Sequence, residues 1–380
     1  MERFPVLSQT FVSNEVAELR RQGVDVVVAA LRPGDAAPIG GVPVLPARAA
    51  HDGRLRLLRD HARYLLGRPD RYLRFLLTVR ALPAERREIA WRRLPRLARQ
   101  LDRAGVDRLH AHFAWGGAAL AAALSALTGW PWAMTMHARD IFTDRRNLAL
   151  KLSRADLLIS VCDYNLRYLR DELHCTRPVA KVICGVELPP PSGLTPTTDV
   201  VCVARLVEKK GVDVLLRAVA KLLAERPALT VRIVGDGPLA GELHRLRDEL
   251  GLAGHVVFDG ALPHAATLDV IAAARVLCLP ARVARDGDID SMPLVVKEAM
   301  AREVTVVAAD AGGVGEMVEG GAGVLVPPDD DDALATALRE LLADDDRRAQ
   351  LAAAGRARVA ERFTLSGEVG RLRTLLASLG

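Results

Sequence analysis

From Gly105 onward, short runs of β-branched and other apolar residues alternate with longer stretches of helical period. That rhythm predicts βα units and parallel sheets. In the first half the predicted strands are Val24 to Leu31, Arg108 to His112, Trp132 to His137, Leu157 to Cys162 and Ala180 to Ile183. In the second half they are Val200 to Ala204, Thr230 to Gly235, Val256 to Asp259, Val276 to Leu279, Thr305 to Ala308 and Gly323 to Val326. Between the halves lies Glu187 to Asp199, whose prolines continue neither a helix nor a central strand. The pattern predicts an α/β protein of two Rossmann-like domains, residues 1–188 and 189–362, with a last helical segment, 363–380, packing back on the first. The opening departs from this rhythm: Phe4-Pro5 and Ser8 to Gly23 read as loop and helix, where an α/β domain normally begins on a strand. The expectation is that the true start lies upstream, the alternative being a domain without that strand.

Composition narrows the classes. With 380 residues, 50% apolar and 26% charged, the chain has the balance of a globular protein of two domains. Its longest apolar stretches, such as Ala118 to Leu127, fall short of the roughly 20 residues that a spanning helix needs. Met1 to Thr10 has no secretory pattern, so the expected location is cytoplasmic, with peripheral attachment to the inner face of the cell membrane as an extension. The five cysteines lack CxxC spacing; Cys202 and Cys278 read as small core residues and none as a metal ligand.

Net charge is only +5, yet Arg54 to Arg99 holds fourteen arginines against four acids. Leu55, Leu58, Leu65, Leu66, Leu73 and Leu77 are among the apolar residues interleaved with them. Arginine-rich amphipathic helices suit an anionic membrane surface, where each basic residue contributes about 1 kcal/mol. A solvated face is the competing reading. Nucleic acid is not expected, for lack of any nucleic-acid module.

The chemistry-bearing stretches sit where predicted strands end. Arg205-Leu-Val-Glu-Lys-Lys210-Gly211 places cations at a helix start, a setting that favours phosphate through free N–H groups and bidentate arginine contacts. Val234-Gly235-Asp236-Gly237-Pro238 is a strand-to-helix turn open to a ligand, but Gly235, Gly237 and Gly241 do not match the dinucleotide fingerprint. Asp290 and Glu298 stand eight apart, Asp290 in a loop and Glu298 in the second turn of a helix beginning near Pro293, from where its carboxylate could hold a ribose diol. Gly312 and Gly313 follow another strand and would let backbone amides approach a ligand. In the first half, His110, His112 and His137 lie at strand ends, His137 being the candidate site residue. His112 reads rather as a core histidine with its hydrogen bonds satisfied. His110 and His112 share a strand face, but no third metal ligand is apparent. GxSxG and HExxH are absent.

Taken in order, Arg205 with Lys210-Gly211, Gly235-Asp236-Gly237-Pro238, Asp290 to Glu298, and Gly312-Gly313 with Glu316 resemble the donor half of glycosyltransferase family four. The first half resembles that family's bacterial exopolysaccharide and colanic-acid-type branch, through Phe4 to Glu15, His110-Ala-His-Phe113 and His137-Ala-Arg-Asp-Ile-Phe142. The resemblance implies a GT-B fold, two Rossmann-like domains facing across a cleft, and a retaining, metal-independent hexosyltransferase. It implies a nucleotide-sugar donor, UDP- rather than GDP-linked, held by the second domain, and a lipid-linked or glycan acceptor held by the first. By carry-over, Arg205 and Lys210 bind the leaving diphosphate, Glu298 the ribose, and Asp290 with the Gly312-Gly313 backbone the transferred sugar. Gly235, Asp236 and Gly237 line the donor site, and His137 contacts donor sugar and acceptor. Asp290 departs from the family's usual Glu by one methylene. The other readings are a nucleotide-sugar-binding protein without transfer activity and a GT-B nucleotide-sugar epimerase.

Overall fold

The computed structural model describes residues 1–6, 9–35, 39–47, 53–191 and 193–379. It divides into two compact units. The first comprises Met1–Val161, Asn165–Ile183 and the chain from Glu368 onward; the second comprises Cys162–Tyr164 and Cys184–Gly367.

In the first unit the strands are β1 (Arg3–Phe4), β2 (Val28–Ala30), β3 (Arg32–Pro33), β4 (Val44–Pro46), β5 (Leu109–His112), β6 (Trp132–Met136), β7 (Leu157–Ser160) and β8 (Val179–Lys181). Strands β5 to β8 form a parallel sheet in sequence order, and β6 is buried along its whole length. A run apolar on both faces is what a covered parallel sheet requires of its strands. A two-residue strand that the sequence reading did not predict lies near the start, outside the β5–β8 sheet. Arg3 and Phe4 pair in parallel with Arg32 and Pro33, and the helix Thr10–Arg21 leads on to β2, which pairs with β4. Two residues ended by Pro5 leave no periodic signal. The predicted Val24 to Leu31 strand contracts to β2, because Val24 closes the preceding helix by donating its N–H to Leu19.

The helix Gly116–Thr128 has nearly every position buried and ends at Gly129 with φ 81°. The C-terminal helix Leu365–Ala377 joins the first unit through side chains. Glu368 accepts from the Ile183 N–H, Arg108 donates to the Leu376 carbonyl at 2.7 Å, and Arg373 donates to that of Gln22. Beneath these elements lies an ion pair of two wholly buried groups, Lys151 Nζ to Glu85 Oε1 at 2.6 Å. The carbonyls of Ala114 and Arg146 take further Lys151 protons, and Asn147 donates to the second Glu85 oxygen. Burial draws the Lys151 ammonium below its ordinary range, against the pull of Glu85.

The second unit is a parallel sheet of β9 (Thr198–Val203), β10 (Val231–Val234), β11 (Val256–Gly260), β12 (Ala274–Leu279), β13 (Thr305–Ala309) and β14 (Val324–Val326), ordered β11-β10-β9-β12-β13-β14. That is the doubly wound order, whose switch point lies between β9 and β12. Cys202 and Cys278 are fully buried in this sheet, and burial pushes the Cys202 thiol up to about 12. Among its described residues, the proline-rich connector carries no helix or ladder strand before β9.

Replacing Lys151 by Met leaves the Glu85 carboxylate buried without its counter-ion, so urea unfolding of Lys151→Met is expected to show a loss of about 3–5 kcal/mol. Adding Glu85→Leu removes the stranded charge and is expected to restore much of that loss. If the single variant matched the wild type, the pair would not be buried as described.

Candidate active site

Ligands of doubly wound sheets collect beyond the carboxyl ends of the strands at the switch point. In the second unit, the loop after β9 meets the loop after β12 at that point. Lys210 Nζ lies 2.5 Å from Asp290 Oδ2, while Lys209 Nζ lies 3.2 Å from Asp290 Oδ1 and 3.0 Å from Asp288. Burial favours the protonated Asp290, but the two ammonium groups outweigh it and hold the carboxyl below its ordinary range. Lys210 and Asp290, read from sequence as contacting different parts of the donor, are therefore direct partners. Lys210 keeps further N–H donors beyond the one given to Asp290. Lys209 and Asp288 were missed by sequence reasoning, since two adjacent lysines look alike until one is buried.

The glycines explain how these loops come so close. A Cβ on Gly211 would lie 1.8 Å from the Pro280 carbonyl oxygen, and one on Gly235 would lie 1.9 Å from that of Ala204. On Gly237 it would meet the Leu206 oxygen at 2.4 Å, and on Gly312 and Gly313 the Asp290 and Ser291 oxygens at 2.0 Å. The glycines expected to admit a ligand thus first admit a neighbouring loop. Asp236 is exposed and accepts from the Gly237 N–H, while Arg205 is exposed at the end of β9.

Glu298 falls in the second turn of the helix Leu294–Met300, which Pro293 caps. His264 Nε2 lies 2.8 Å from Glu298 Oε1, a partner 34 residues away that no motif announced. Glu316 accepts the N–H groups of Asp163 and Tyr164.

The first unit holds a second cluster of polar side chains, at the ends of β5 and β6. His137 is buried and hydrogen-bonded through its ring, His112 Nδ1 to His137 Nε2 at 3.3 Å, and His112 Nε2 lies 2.8 Å from Glu15 Oε1. The expectation for His112, a core histidine with its bonds satisfied, describes what is seen. His110 Nε2 lies 2.8 Å from the Thr135 hydroxyl, with its Nδ1 3.6 Å from Glu15. Burial, with His112 next, depresses His110 to about 3 and His137 well below its ordinary value. Burial raises Glu15, but His112 and His110 together outweigh it and leave the carboxyl below the usual range. Glu15 thus supplies the third group that the sequence left unidentified beside His110 and His112. Asp140 accepts from the N–H groups of Ala114 and His137, and burial raises its carboxyl to about 6 despite those bonds.

In the basic segment, the helices Arg54–Gly67 and Pro69–Arg80 expose Leu55, Leu58, Leu65, Leu66, Leu73 and Leu77, while Phe75 is buried. Not every arginine there is solvated: Arg99 pairs with buried Asp60, and Arg71 donates to the Thr128 carbonyl. Arg54, Arg56, Arg59, Arg63, Arg68, Arg74 and Arg80 are exposed. No described helix is long and apolar enough to cross a membrane.

Two family models match consecutive halves of the chain: Glycosyltransferase Family 4 over residues 8–188 and Glycosyl transferases group 1 over residues 190–358. A putative colanic acid biosynthesis glycosyltransferase of Salmonella typhimurium is 28% identical over 99% of this chain and 98% of its own length. A GDP-mannose-dependent monoacylated alpha-(1-6)-phosphatidylinositol monomannoside mannosyltransferase of Corynebacterium glutamicum is 37% identical over 49% of each chain, so the match spans about half that relative's length. Among solved structures, a sucrose-phosphate synthase from Thermosynechococcus elongatus superposes with a TM-score of 0.73 at 21% identity, covering 98% of this chain and 93% of that one. The chain belongs to the GT-B glycosyltransferases of family four.

The glycine contacts separate two substitutions by sign. Gly235→Ala places a Cβ against the Ala204 carbonyl at φ 135°, and is expected to cost about 2 kcal/mol or more in thermal unfolding. Gly241→Ala, in a helix with nothing within 4 Å, is expected to stabilise by roughly 0.5–1 kcal/mol. Equal effects from the two would remove the packing explanation.

Proposed function

We propose that this protein is a retaining glycosyltransferase that moves a hexose from a nucleoside diphosphate sugar to a lipid-linked or glycan acceptor in cell-surface polysaccharide or glycolipid synthesis. The observation that carries this reading is the Lys209/Lys210–Asp290 cluster at the switch point of the second sheet, preceded by Arg205 and followed by Glu298. The anomeric carbon–phosphate bond breaks, a bond from that carbon to the acceptor oxygen forms, and the acceptor proton passes to the departing diphosphate on the same face. Arg205 and Lys210 neutralise the charge that builds on the leaving group. Asp290 holds the Lys210 ammonium in place beforehand, so little reorganisation accompanies reaction. Glu298, steadied by His264, takes the ribose hydroxyls. Asp290 and the Gly312-Gly313 backbone border the sugar, and the first unit with His137 receives the acceptor. Since side-chain cations serve the diphosphate, the reaction proceeds without a metal. Uridine was the base expected from sequence; the name of the Corynebacterium glutamicum mannosyltransferase supports guanosine instead.

The acceptor class is supported by the exposed leucines among arginines. Charge attracts the two helices to an anionic lipid surface, and each leucine entering the interface adds about 1.5–3 kcal/mol when fully buried.

Calorimetry with UDP and GDP is expected to give saturable binding of GDP, or of UDP if uridine is the base, and loss of that binding in Glu298→Ala. Lys210→Ala is expected to lower turnover on the order of 10²–10³-fold, as removal of a charge-stabilising group does. The product should retain the donor's anomeric configuration and form equally in EDTA. An inverted product overturns the mechanism, and absence of nucleotide binding overturns the function.

Sedimentation with vesicles containing phosphatidylglycerol is expected to carry the protein down at low salt and release it as salt rises. Leu55→Ser with Leu66→Ser should weaken capture at low salt as well. No capture by anionic vesicles would remove the membrane surface from the reading.

A further inference from the structure

The lysine turn of the second unit is built against the first residues that follow β12. Glu208–Lys210 forms one short turn of 3-10 helix that ends at Gly211, φ 62°. Pro280 leaves no room for a side chain at Gly211, and two residues further on Arg282 takes hold of the turn itself. The Arg282 backbone N–H donates to the Lys209 carbonyl at 2.9 Å, and its Nε donates to the Glu208 carbonyl at 3.0 Å. Those two carbonyls belong to the peptide groups that lead into Lys210 and Lys209. The rest of the guanidinium reaches elsewhere: Nη1 donates to Asp329 Oδ1 at 2.7 Å, and Nη2 donates to Asp213 in the first turn of the helix Val212–Leu222. One planar group thereby ties the loops after β9, β12 and β14 to the start of that helix.

This arrangement needs arginine. A rigid fork can serve a carbonyl and two carboxylates in fixed directions at once, whereas an ammonium is a point charge on a flexible stem. The two carboxylates take up the Arg282 charge, which leaves phosphate to Arg205 and Lys210. Asp213 and Asp329 are 33% and 56% exposed, so these ion pairs add little to stability and the loss of Arg282 strands no buried charge. What Arg282 supplies is the placement of the turn.

We propose that Arg282 is a positioning residue that acts through the Glu208 and Lys209 peptide groups to hold Lys210 where it meets a leaving diphosphate. Its part in transfer rests on the proposed function; the clamp on the turn does not.

The test is a double-mutant cycle in the transfer assay, joined to amide exchange without substrate, with folding checked by circular dichroism. Arg282→Ala should lower kcat about 10²-fold, the effect of displacing a group at the reacting centre by about 1 Å, and should change the donor KM by a smaller factor. In the Lys210→Ala background the same substitution should cost nothing further, because the group it positions is gone. Losses that multiply overturn the proposal, as does full activity in Arg282→Lys, which keeps the charge without the fork. The Lys210 and Gly211 N–H groups donate to the Val207 and Glu208 carbonyls, so their exchange reads the turn directly. In Arg282→Ala it should be about tenfold faster, the worth of one hydrogen bond. Unchanged exchange overturns the clamp, and so does exchange that quickens equally through the strands of the second sheet. If the turn loosens as described while the wild type transfers no sugar, the clamp stands and the function fails.

Discussion

At the carboxyl edge of the second sheet, carbonyl oxygens of one loop occupy the space where another loop's side chains would begin. Pro280 stands against Gly211, Ala204 against Gly235, and Asp290 against Gly312. This approach of bare backbone to bare backbone draws the β9 and β12 loops together, so lysines and carboxylates distant in sequence share a small volume. Charge alone would not assemble such a group. Each buried ion costs several kcal/mol to desolvate, and only a frame that has already closed makes the pairing favourable. The glycines come first in that order of causes, and the ion cluster follows from them.

The two polar clusters solve the problem of buried charge differently. In the second unit two ammonium groups surround the carboxylates of Asp288 and Asp290, so the group remains ionic. In the first unit a single carboxylate faces imidazoles, two of which, His110 and His137, burial keeps uncharged. An ionic cluster suits a partner that brings phosphate charge. One with uncharged rings suits a partner whose hydroxyl groups must be told apart by direction.

Most of the strand skeleton was legible in the sequence, because strands covered on both faces appear as largely apolar runs, as in Trp132 to Met134 and Val306 to Ala308. The short strands β1, β3 and β4 were not, since two or three residues interrupted by Pro5, Pro33 and Pro46 carry no period. The candidate positions at the switch point were legible as strand-end motifs, but not their pairing. Asp290 lies 80 residues from Lys210, and Glu15 lies 97 from His112. Nothing in either segment alone names the other. The glycines were legible as places where something approaches; that the something is backbone becomes visible only once the fold brings it there.

The helix Gly116–Thr128 shows how such packing bears on sequence drift. An ordinary surface helix has a solvent stripe where substitutions are nearly free. Here Ala118, Ala119, Ala121, Ala122 and Ala123 are all enclosed, so the helix has no such stripe. Gly117 adds to this at its start, where the Met1 backbone lies 3.3 Å from the position of an added Cβ. Among descendants of this chain the segment has little room to change except by exchange among the smallest side chains. It would serve as a slow clock within a molecule whose arginine-rich surface can diverge much faster.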